Sequence, residues 1–110
     1  MSSSGIPIEA VVVQVRGVNQ AALERWIEAA LVRPEGEPGA WRFREIDVAR
    51  VRLIVELRRE MRVEERTLPV VLSLLDQLYD ARRAIRRLGA AMSGVDEATR
   101  ARLRDVLSQG

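Results

Sequence analysis

The side chains able to do chemistry in this sequence are carboxylates and guanidiniums. There is no Cys and no His, which removes thiolate nucleophiles, imidazole acid–base catalysis and the usual zinc ligands. Carboxylates alone could hold magnesium or calcium, but no stretch has the spacing of an EF-hand loop. The glycines do not group as in a phosphate-cradling loop, and no Ser sits in a nucleophile elbow. The chain therefore reads as a non-enzymatic binding protein with no cofactor and no metal. What remains to carry function is charge on helix faces. Glu56, Glu60 and Glu64 follow at four-residue steps, a spacing that stacks side chains along one helical face. Asp76 and Asp80 repeat that step. Such carboxylates either pair with Arg52, Arg59, Arg83 or Arg87 as an ordinary solvated surface, or offer an acidic face to a basic partner.

All eighteen cations are Arg and none is Lys. Arg hardly deprotonates, so the isoelectric point reaches about 10.3 although the formal net charge is only +2. Up to Glu45 there are five Arg against six Glu; beyond it thirteen Arg oppose ten acids. The first part would repel phosphates rather than neutralise them, so nucleic acid is not the expected partner. No apolar run is long enough to span a bilayer, and the start Met-Ser-Ser-Ser-Gly lacks the regions of a signal peptide. A cytoplasmic protein without membrane contact is expected.

These charges must be held by helices. The 110 residues are 47% apolar with only Trp26, Trp41, Phe43 and Tyr79 as aromatics, which suits one modest all-α core of Leu, Val, Ile and Ala. Met1 to Gly5 read as a flexible leader, 6–92 as a single domain and 93–110 as an amphipathic tail. Ile8, Val11, Val12 and Val15 recur at helical spacing behind Pro7, with Gly17 as a stop, although the run Val11-Val12-Val13 has strand character. Asn19 is an N-cap for a helix through Ala30, with Leu23, Trp26, Ile27 and Ala30 on one face. The two helices around Gly17-Val18-Asn19 make a helix-turn-helix pattern. Leu31-Val32-Arg33-Pro34 and Ala40-Trp41-Arg42-Phe43 flank a Gly/Pro-rich bend and predict a small β-hairpin wing, with Trp41 and Phe43 covering the helical pair.

A third helix starts near Ile46 and carries Ile46, Ala49, Leu53, Ile54, Leu57 and Met61. Thr67 and Pro69 open a long fourth helix with two apolar stripes. Val71, Leu74, Leu78, Ala81, Ile85, Leu88 and Met92 alternate steps of three and four, a heptad seam suited to a homodimer; Leu68, Leu72, Leu75 and Tyr79 face the chain's own headpiece.

The order of these parts resembles the MerR-type winged headpiece and, more closely, the chaperone-modulator family of CbpM-like proteins. The resembling stretch runs from Gly17 to about Leu88. It comprises Gly17-Val18-Asn19, Leu23, Ile27, Leu31-Val32-Arg33-Pro34, Trp41-Arg42-Phe43, Ala49-Arg50-Val51-Arg52-Leu53, Glu56-Leu57-Arg58-Arg59-Glu60-Met61, Leu72-Ser73-Leu74-Leu75-Asp76 and Leu78. The resemblance implies a dimeric adaptor that binds the J-domain of a DnaJ-like co-chaperone of the curved-DNA-binding type and blocks stimulation of a DnaK-type chaperone. On that reading Asp76, Asp80, Glu56, Glu60 and Glu64 meet the basic helix of the J-domain, with Asp76 the first choice because it lies in a family-like stretch. The alternative is a MerR-type transcriptional regulator that binds DNA as a dimer. Two places depart from the pattern: the first helix is short and valine-rich, and Arg62 to Arg66 replace an expected Gly-containing turn with charges.

Overall fold

The computed structural model describes residues 5–94 and 96–109. The expected leader, Gly5 excepted, lies outside the described residues, as do Val95 and Gly110 of the expected tail. Five α-helices follow in order: α1 (Ile8–Gln14), α2 (Gln20–Glu28), α3 (Glu45–Arg59), α4 (Leu68–Met92) and α5 (Glu97–Gln109), with one 3-10 turn at Glu65–Thr67 before α4. They fall into two compact units that meet within α4, one up to Leu72 and one from Ser73.

In the first unit, Pro7 stands at the head of α1, where its missing N–H costs nothing, and its carbonyl accepts from the N–H groups of Ala10 and Val11. Ile8, Val11 and Val15 are buried, so helical spacing prevails over the strand character of the valines. Gly17 turns the chain at φ +95°, and a Cβ there would strike the Arg59 guanidinium and Val55. Asn19 then caps α2, its Oδ1 accepting the Ala22 N–H at 2.8 Å. Leu23 and Trp26 of α2 close over the core.

α2 stops earlier than its apolar pattern predicts. Ala30 is exposed and outside the helix, in the left-handed region at φ +62°. The N–H groups of Leu31 and Val32 turn back to the Trp26 carbonyl at 2.8 and 3.4 Å. Leu31 and Val32 are thereby buried as the wrap-around end of α2 instead of forming the first wing strand. The expected hairpin reduces to one antiparallel bridge between Glu35 and Arg42, beside a second between Ile6 and Phe43. Pro34 and Pro38 have no N–H to give to a ladder. The Gly5 carbonyl accepts from Arg42 Nη2 at 2.6 Å. Of the two wing aromatics, Phe43 is fully buried and Trp41 half-buried.

α3 begins at a buried carboxylate. Asp47 accepts the Arg44 backbone N–H at 2.8 Å and takes the Arg44 guanidinium as a fork, at 2.8 and 3.0 Å. This satisfies an orphan donor at the helix start and pairs the one charged residue buried in the core among the described residues. The buried stripe that follows is Val48, Val51, Ile54 and Leu57. Of the expected stripe, Ile54 and Leu57 are buried and Leu53 half-buried, whereas Ile46, Ala49 and Met61 are exposed. α4 enters this unit through its first turns, where Leu68 and Leu72 are fully buried.

The second unit is the rest of α4 and α5. Asp96 caps α5, accepting the Thr99 N–H at 2.8 Å, and this holds its carboxyl below the usual range. Arg100 reaches back to the carbonyls of Met92 and Ser93 at 3.2 and 3.4 Å, satisfying acceptors at the end of α4. No described residue from Ser73 to Gln109 is buried.

Candidate interaction surfaces

In a helix-turn-helix headpiece the second helix is the one presented to a target, so α2 and the segment after it are the first surface to assess. Between 20 and 44 there are four Arg and four Glu. Three of those Arg are already engaged. Arg25 forms a two-pronged pair with Glu65, Nε to Oε2 at 3.0 Å and Nη2 to Oε1 at 3.2 Å. Arg42 donates to the Gly5 carbonyl. Arg44 is held by Asp47, with Glu35 a further 3.7 Å neighbour. Arg33 is exposed and is left without an acidic partner among the described residues. Opposite it, Glu24, Glu28 and Glu37 are exposed, and Glu24 accepts only from the neutral Gln20 amide at 3.2 Å. The outward face of α2 is acidic.

Glu65 is the pivot of that arrangement. Its hydrogen bond to Arg25 is the main reason its carboxyl is held below the usual range, and the indole of Trp26 and the charge of Arg58 act in the same direction. The Trp26 N–H is buried without a hydrogen bond of normal geometry. Sequence reasoning could not have found the Arg25–Glu65 pair, because forty residues separate its members. Asp47 had a local signal, since Arg44 precedes it by three residues at a helix start.

The structure separates the carboxylates expected to share one face. Glu56 lies on α3, Glu60 is already its C-terminal cap and Glu64 stands in extended backbone beyond it. The four-residue row therefore breaks after Glu60, whose N–H still reaches the Glu56 carbonyl at 2.8 Å, so that Glu56 and Glu60 line one groove while Glu64 lies outside the helix. Glu64 instead pairs with Arg66 at 3.4 Å. Asp76 and Asp80 are both exposed on α4, and Asp80 pairs with Arg83 one turn on. Among the described residues, no group of three or more carboxylates is placed to share a metal ion, and no helix is long and apolar enough to cross a membrane.

The two stripes of α4 part company only over its first turns, since Leu75 is half-buried and Tyr79, expected against the headpiece, is 46% exposed. Leu68 and Leu72 are inside the first unit. Leu74, Leu78, Ile85 and Leu88 are exposed by 60, 45, 68 and 37%, Ala81 is exposed and Val71 half-buried. The heptad seam is thus uncovered in the single chain.

Residues 10–63 match the family model described as MerR HTH family regulatory protein. No curated protein and no solved structure matches the chain. The matched stretch runs from α1 through the helix-turn-helix and α3 to the bend before α4, and such headpieces are regulatory binding modules rather than catalysts. Residues 10–63 of this chain are thus similar to a MerR-type helix-turn-helix headpiece.

Proposed function

We propose that this chain is a chaperone modulator: a homodimeric adaptor that binds the J-domain of a DnaJ-like co-chaperone and blocks its stimulation of a DnaK-type chaperone. The observation that carries this reading is the acidic outer face of α2. An ordinary MerR-type headpiece would aim this helix at DNA, where Glu24 and Glu28 meet phosphates and base edges with the wrong sign. A basic protein helix has the complementary sign. The order of motifs from Gly17 to Leu88, which resembles the CbpM-like family, supports the J-domain as that partner. Asp76 and Asp80 remain the proposed contacts on α4, with Glu56, Glu60 and Glu64 as contacts on and beyond α3. The largely uncovered seam of Val71, Leu74, Leu78, Ala81, Ile85 and Leu88 supports a second copy as its cover, because α4 has no buried residue beyond Leu72 and an apolar helical face without a partner gains little stability by itself.

The test is an ATPase assay with a DnaK-type chaperone stimulated by the isolated J-domain. Added chain should suppress the stimulated rate in a saturable way and leave the basal rate unchanged. Reversal of Asp76 and Asp80 to Arg should relieve the suppression while sedimentation still shows the dimer. Stimulation that persists at saturating chain defeats the proposal. Leu78→Asp should give monomer or unfolded chain, and an unaltered dimer removes the seam.

A DNA-binding transcriptional regulator is the second reading. The family of the matched headpiece favours it, as do the arginines gathered at the end of α3.

A further inference from the structure

The arginines at the end of α3 border a groove of about 480 Å³ beside the α1–α2 turn. Four Arg and two Glu line it, so it is cationic by two charges. Both carboxylates are already taken: Glu65 by Arg25, with Arg58 adding to the pull, and Glu64 by Arg66. Arg58 also donates to the Val63 carbonyl at 2.9 Å. Arg59 and Arg62 are left as the guanidiniums of the groove without an acidic partner among the described residues. Arg59 lies over Gly17, where a Cβ would collide with its guanidinium. The Trp26 indole is also in the groove wall, where it acts on the Glu65 carboxyl in the same direction as Arg25.

Arg62 carries a second signal. It has φ +57°, a conformation that strains any side chain with a Cβ and that Gly adopts freely. The chain keeps a long cation where glycine would be more stable. Strain of this kind is held by the surrounding structure and clusters at binding sites.

We propose that this groove binds a small phosphate-type oxyanion of two or more negative charges, held between the planar forks of Arg59 and Arg62. Two guanidiniums with no acid between them match a doubly charged oxyanion. A duplex is disfavoured because the chain up to Glu45 carries five Arg against six Glu and offers a phosphate backbone no net positive charge. This site is independent of J-domain binding.

The test titrates the full chain with sodium pyrophosphate by calorimetry at constant ionic strength, with chloride as the control. Arg62→Gly and Ala30→Gly are compared with the parent, since both relieve a left-handed residue but only the first removes a proposed ligand. Both variants should melt a few degrees above the parent. Ala30→Gly should bind pyrophosphate as the parent does, whereas Arg62→Gly should lose at least about tenfold in affinity. If Arg62→Gly does not fold, Arg59→Gln must show the same loss. A parent that responds only to ionic strength overturns the proposal, as does an Arg62→Gly chain with the parent's affinity. A short DNA duplex that displaces pyrophosphate with the same dependence on Arg62 also overturns it, and assigns the groove to nucleic acid.

Discussion

Leu72→Ala is the substitution whose effect is most closely fixed by the packing. Leu72 is 1% exposed, and Leu68, one turn earlier, is fully buried. The change removes three carbons from the core, worth about 2.4 kcal/mol at roughly 0.8 kcal/mol per buried methylene. Phe43, Leu23 and Ile54 are fully buried in the same unit, so the core is filled and the site should collapse only in part. The remaining void raises the cost to about 3–4 kcal/mol, inside the range of buried Leu→Ala changes. Urea unfolding followed by tryptophan fluorescence reads this, because Trp26 is in the same core. With a slope of about 1 kcal/mol/M for so small a unit, the midpoint should fall by about 3 M. A loss below about 1 kcal/mol would mean that the first turns of α4 do not complete the headpiece. Leu78→Ala is the matched control. At 45% exposure it should leave headpiece unfolding unchanged, and any cost should depend on protein concentration, as a change confined to a dimer seam does.

Asn19→Ala should cost about 1 kcal/mol by removing the α2 cap, and Asn19→Asp should retain most of it; equal losses in thermal melts would rule out the cap. For Glu65, the Arg25 hydrogen bonds lower the folded carboxyl below the ordinary glutamate value. Its contribution is therefore complete above that value and lost as pH falls through the folded pKa. The parent and Glu65→Gln should differ slightly at pH 7, the pair being partly exposed, and converge in acid; a gap that widens on acidification contradicts the sign. Gly36 and Gly39 both have positive φ, but only at Gly36 would a Cβ meet backbone, the Ala40 carbonyl. Gly36→Ala should lower the melting temperature more than Gly39→Ala, and the reverse order would refute that geometry.

The helix-turn-helix was legible because its signals are local: Pro7 before α1, Gly17 at the turn, Asn19 at the cap. The two stripes of α4 were legible only at its start, where spacing sorts Leu68 and Leu72 from Leu74; further on, Tyr79 is as exposed as Leu78. The phase of α3 was not. Ile46, Val48, Val51, Leu53, Ile54 and Val55 put apolar groups around most of its circumference, and burial of Asp47 placed a carboxylate where a hydropathy reading excludes one. The wing was misjudged because Leu31 and Val32 look like a strand but are drawn into the core by the Trp26 carbonyl. The engagement of Arg25 by Glu65 joins residues forty apart, so the acidity of the α2 face was only half visible as net charge. The charged bend after α3 was seen as a departure in sequence, but only the backbone shows that Arg62 occupies a glycine-type conformation.

The acidic face of α2 makes the choice between protein and DNA directly measurable. The full chain is titrated, in one buffer at moderate salt, against a labelled J-domain and a labelled DNA duplex of mixed sequence, with a Glu24→Arg/Glu28→Arg variant alongside. Saturable binding of the J-domain, weak duplex binding, and a shift toward the duplex in the variant are the results expected. A parent that binds the duplex with a steep salt dependence and ignores the J-domain would contradict the modulator reading and establish a DNA-binding regulator in its place.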